Sequence, residues 1–99
     1  MTRGIEILYF EGCPNYRATL DLVRELAGGN DVELVEVGPD DVEAARFLGS
    51  PSVRVNGRDV EPGADDRADY AFACRVYRRD EGLRGLPDPR WVAAALAAD

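Results

Sequence analysis

The chain of 99 residues has no histidine and no lysine. Without histidine, a Ser-His-Asp or Cys-His relay cannot be built within one chain. Imidazole is also missing as a metal ligand. Without lysine, Schiff-base chemistry and a phosphate-loop lysine are excluded. All 12 basic side chains are therefore arginine. Two cysteines, Cys13 and Cys74, are too few for a disulfide-built secreted scaffold. No apolar run approaches the roughly 18 residues of a membrane span. No apolar signal segment with a small-residue cleavage site follows the first residues. These absences predict a cytoplasmic chain with no membrane partner. The net charge of −7 lacks the basic footprint of a nucleic-acid binder.

Hydrophobic residues make up 45% of the chain and charged residues 31%, which suits one globular domain over residues 1–99. Residues 5–10 are dense in β-formers and read as a strand covered on both faces. Glu11-Gly12-Cys13-Pro14 breaks that strand. Pro14 at a first helical position predicts a helix over 14–27, with Tyr16, Leu20, Val23 and Ala27 on its buried stripe. Gly28-Gly29-Asn30 stops it. Residues 32–37 read as a second strand. Asp40 and Glu43 have capping-box spacing and predict a short helix ending near Leu48-Gly49.

Asn56-Gly57 between two extended runs predicts a hairpin within 50–60. Residues 61–70 read as an acidic loop, 71–79 fit either a strand or a helical turn, and 80–87 read as loop. Asp88-Pro89 starts a last helix that buries Trp91 and Val92. The expected fold is α/β, in the order β-α-β-α-β-β-α. Its four-stranded mixed sheet has helices on both faces, with an irregular insert before the last helix.

Cys13 carries the strongest chemical signal. At a strand-to-helix junction its sulfur would lie near unpaired N–H groups and the positive end of the helix dipole, which favour the reactive thiolate. Arg17 would add to that field and Glu11 would oppose it. The other reading is an inert cysteine that packs. Ser50-Pro51 leads into a strand, which suits either a trans proline at a strand's first residue or a cis bond. Cys74 is either a partner for Cys13 or a small buried hydrophobe among Phe72, Val76 and Tyr77. The carboxylates of 59–69 and Arg75, Arg78, Arg79 and Arg84 read as solvated surface clusters, or as a docking patch for an anionic thiol or a protein.

Tyr9-Phe10-Glu11-Gly12-Cys13-Pro14-Asn15-Tyr16 and Gly49-Ser50-Pro51-Ser52, in that order of elements, resemble the thioredoxin-like superfamily. The resemblance covers the chain apart from about residues 61–87. Cys13-Pro14-Asn15, Glu61-Pro62-Gly63-Ala64 and Cys74-Arg75-Val76-Tyr77-Arg78 are similar to small bacterial thioredoxin-family proteins, some of them labelled alkylmercury lyase. The resemblance implies that Cys13 is the nucleophile and that Pro51 is cis and faces it. It also implies that Ser50 offers its backbone to a thiol substrate. Pro14 and Tyr16 join Ser50 and Pro51 as candidate substrate-binding residues. The usual second cysteine of the motif is here Tyr16. Cys13 then works either as a monothiol or with Cys74 as the resolving cysteine.

The leading expectation is a thiol–disulfide oxidoreductase without a cofactor, whose partner is a low-molecular-weight thiol or a protein disulfide. One alternative is a module in which Cys13 and Cys74 hold a soft metal or an organomercurial. Asp65, Asp69 and Glu11 are then candidate proton donors for carbon–mercury cleavage. The other alternative is a redox-silent interaction module. The sequence leaves the oligomeric state open.

Overall fold

A computed structural model describes residues 4–98. The chain builds a mixed α/β fold around a four-stranded sheet, β1 Ile5–Tyr9, β2 Val32–Glu36, β3 Ser52–Val55 and β4 Arg58–Asp59, in the spatial order β2-β1-β3-β4. β1 and β2 are parallel, and β3 is antiparallel to β1 and to β4. Asn56 and Gly57 take positive φ of 53° and 83°, as a tight hairpin turn between right-twisted strands requires.

Strand alternation sorts the core into two clusters. Ile5, Ile7, Val53 and Val55 point to one face, where they meet Leu20, Val23 and Ala27 of α1 (Tyr16–Ala27) and Val92 of α2 (Pro89–Ala97). Leu8 and Val37 point to the other face and pack on Phe47. Both helices therefore cover the same face, and the expectation of helices on both faces is corrected. The Asp88 carboxylate caps α2 by accepting from the Arg90 N–H at 2.9 Å, with Pro89 at the first helical position. Among the described residues no helix is long and apolar enough to cross a membrane.

The short helix expected after Asp40 is a single turn. Ala45 N–H donates to the Asp41 carbonyl at 2.9 Å, but the next two donors turn back, Arg46 to Glu43 and Phe47 to Val42. Arg46 has φ of 53°. This is the closure that ends helices with one left-handed residue. It comes early because it seats Phe47, fully buried, on Leu8 and Val37. Arg54 of β3 then donates to the Ala45 and Arg46 carbonyls at 2.6 and 3.0 Å, satisfying acceptors that the short turn leaves open.

Residues 80–87 are not all loop. β5 Tyr77–Arg79 and β6 Gly82–Arg84 form a separate antiparallel hairpin. A 3₁₀ turn, Ala64–Asp66, lies in the acidic stretch.

Candidate functional site

α1 begins at Tyr16, later than the expected Pro14, so Cys13 precedes the helix instead of opening it. Pro14 and Asn15 form a turn. The Asn15 carbonyl accepts both the Thr19 N–H and the Thr19 Oγ1, at 3.1 and 2.9 Å. The Asn15 side chain caps nothing. It faces Gly85, where any Cβ would collide with its amide. The Cys13 N–H closes a turn onto the Phe10 carbonyl at 3.2 Å.

Cys13 is buried, only 4% exposed, whereas Cys74 is exposed. Both are free thiols. The reading of Cys74 as a buried hydrophobe is overturned, since Phe72 and Val76 beside it are exposed as well and only Tyr77 is buried. Pro14 is exposed. Tyr16 is half-buried and stacks on Tyr9 with ring centroids 4.4 Å apart, while the Arg17 guanidinium lies over its ring. That ring packs on its own neighbours.

The Ser50–Pro51 bond is cis, and both residues are buried. The resemblance implied a Ser50 backbone free for substrate. The structure corrects this. The Ser50 N–H donates to the Ala73 carbonyl at 2.9 Å, and the Ser50 carbonyl accepts from the Arg75 N–H at 2.8 Å. Residues 71–79 form a strap laid along this edge as a parallel bridge, with Cys74 opposite Ser50. Ala71 N–H reaches the Phe47 carbonyl, and the Tyr77 hydroxyl donates to the Pro51 carbonyl. Phe72 packs on Phe10 with centroids 4.8 Å apart. Ser50 Oγ faces the other way and accepts from the Phe10 N–H at 3.4 Å. Ser50 thus ties the Cys13 turn to the Cys74 strap. Gly49 makes the approach possible: at φ of 118°, a Cβ there would stand 2.9 Å from the Arg75 Cβ and 3.0 Å from the Ala73 carbonyl oxygen.

Arg75 is the residue that the sequence reading misplaced. Expected on a solvated cluster, it is 3% exposed. Its guanidinium donates to Ser52 Oγ and to both Asp59 oxygens, at 2.8, 2.7 and 3.1 Å, and to Glu61 at 2.8 Å. Its Nε is buried without a partner. The group also lies over the Tyr77 ring, 4.4 Å from the centroid. Burial works against its charge, but the Asp59 and Glu61 bonds outweigh burial and hold the guanidinium above its ordinary value. Burial likewise pushes the Tyr77 hydroxyl above its usual range. Arg75 and Tyr77 share the buried side of 74–79 while Cys74 and Val76 are exposed, so apolar alternation gives no signal for it.

The candidate proton donors are poorly suited to that role. Asp69 is hydrogen-bonded by Arg67, which holds its pKa at about 2, so near neutral pH it has no proton to give. Asp65 pairs with Arg58 at 2.9 Å. Glu11 is exposed. Among the described residues no group of three or more Cys, Asp or Glu converges as a metal site. Comparison of the chain with protein-family models, with curated proteins and with solved structures gives no match.

Proposed function

We propose that the chain is a thioredoxin-like thiol protein that exchanges disulfides through Cys13 and Cys74. The observation that carries this reading is the Ser50–Cys74 bridge, with the Cys13 turn bonded to the same serine through Phe10. The exposures suggest an order of attack. Cys74 is the exposed thiol that a partner meets, and the buried Cys13 acts second, which reverses the roles implied by the resemblance. The Cys74 thiolate attacks one sulfur of a partner disulfide, forming a mixed disulfide and releasing one partner thiolate. Cys13, as thiolate, then attacks the Cys74 sulfur and releases the second partner thiolate. The two cysteines end oxidised as one disulfide. The partner ends reduced as two thiols, taking up the two protons that the cysteines lose.

The test is oxidation with a small-molecule disulfide, followed by peptide mapping under non-reducing conditions. The expected product joins the peptides of Cys13 and Cys74. The Cys13→Ser variant should stall as the mixed disulfide on Cys74. If Cys74 is oxidised and no internal bridge ever forms, the two-cysteine mechanism is wrong. If neither thiol exchanges, the redox-silent interaction module takes its place.

A further inference from the structure

Beyond the chemistry of the two sulfurs, we infer that the outer edge of the strap is a peptide-docking site. An extended, cysteine-bearing segment of a partner protein pairs its backbone with Cys74 and Val76 and sets an acidic side chain against Arg78. The role of the partner's cysteine rests on the thiol reading above; the docking does not.

Along the strap, Cys74, Val76 and Arg78 are exposed, while Arg75 and Tyr77 are buried. The Ala73 carbonyl and the Arg75 N–H are spent on Ser50. In extended chain, successive peptide groups point to opposite sides. The N–H and carbonyl of Cys74 therefore face away from Ser50. Among the described residues, the main-chain groups of Cys74 and Val76 have no hydrogen-bond partner. An open strand edge of this kind accepts an added strand.

The side chains beside that edge define the occupant. Val76, Arg78 and Leu83 line a groove of about 690 Å³ together with Pro62, Arg67, Trp91 and Glu61, whose carboxylate is already paired with Arg67 and Arg75. Val76 and Leu83 are 58% and 60% exposed, so the groove offers uncovered apolar surface. Arg67 is answered by Glu61 and Asp69. Arg78 has no partner among the described residues. A free arginine beside the groove offers a local site for one carboxylate of a short segment, while the net charge of −7 opposes docking of a whole second copy of this acidic chain. A small thiol such as glutathione would leave most of the groove uncovered.

The experiment uses the full chain carrying both Cys13→Ser and Cys74→Ser, and a fluorescein-labelled peptide. The peptide has serine at its centre, valine two residues away and glutamate four residues away. Anisotropy should show saturable binding. N-methylation of the peptide amides that face the strap, or Val76→Asp in the protein, should weaken binding by about tenfold or more. Arg78→Glu should shift preference to a peptide carrying lysine in place of that glutamate. Equal binding of methylated and unmethylated peptides, or no saturation, overturns the docking.

A second arm compares the wild-type chain reacting with the same peptide carrying cysteine for the central serine, as a disulfide, and with oxidised glutathione. The peptide should react about tenfold faster. Equal rates overturn the docking and leave the thiol reading standing. Binding without exchange supports the docking and sinks the thiol reading alone. A dimer linked through Cys74, as the sole oxidation product, makes the second copy the occupant and overturns the proposal.

Discussion

The sheet and the strap are held by different forces. Ile7, Val23, Val53 and Val92 are fully buried and make no polar demand, so the sheet and its helices are stabilised mainly by removing aliphatic surface from water. The strap contributes Tyr77 and one guanidinium to the interior. It stays in place through backbone bonds to Ser50 and the ion pairs of Arg75 with Asp59 and Glu61. An aliphatic core tolerates loss of one contact in proportion to the volume lost. A buried ion pair does not, because removing one partner strands the other charge.

The sharpest way to break this contrast is Arg75→Ala. It leaves Asp59, 9% exposed at the side chain, without its cation, and Glu61, 15% exposed, with Arg67 alone. The expected loss is about 3–5 kcal/mol in urea unfolding, with hydrogen exchange rising first along 71–79. Arg75→Lys should recover only part of it, since one ammonium cannot meet Ser52, Asp59 and Glu61 together. Equal protection of strap and sheet in Arg75→Ala would show that the two regions are one unit. On the aliphatic side, Ile7→Ala should cost about 2–5 kcal/mol, spread evenly over sheet and helices in the same exchange experiment.

Gly49→Ala tests the seam between the regions. The added Cβ meets the strap's backbone in a conformation that alanine resists, so a loss of about 1–3 kcal/mol is expected. It should be accompanied by faster alkylation of Cys13 if the strap lifts. Unchanged alkylation would separate the burial of Cys13 from the strap.

The smallest effect expected is at α2. Asp88 is held at about 2 by its bonds from Arg90. Its folded pKa is depressed from 3.8, so its contribution is present above 3.8 and fades as pH falls toward about 2. The stability gap between wild type and Asp88→Asn, measured by thermal unfolding from pH 7 to pH 2, should narrow over that interval. A gap independent of pH would assign the cap no electrostatic part.

Periodicity made the sheet legible. Residues 5–10 and 32–37 carried their strands, and Asn56-Gly57 marked the hairpin by the backbone angles it permits. The turn after Asp40 was not legible, because a capping signal says where a helix starts and Phe47's pull toward Leu8 and Val37 decides how soon it stops. The strap was least legible. Its inward residues are an arginine and a tyrosine, and its partners Asp59 and Glu61 lie in a run that reads as solvated acid. Burial by pairing leaves no hydrophobic pattern to read. At the candidate site, both cysteines and Ser50-Pro51 stood out as sequence. That the chain's own strap would fill the Ser50 edge depended on a long-range pairing with no local trace.

Arg75 is fastened to Asp59, and Asp59 belongs to β4, a two-residue strand at the border of the sheet. Fraying of that border would loosen the clamp, and the Ser50 amide would then exchange with solvent in step with β4 and ahead of its neighbours in β1. The timing of one amide proton would thus report how often the strap parts from the Ser50 edge.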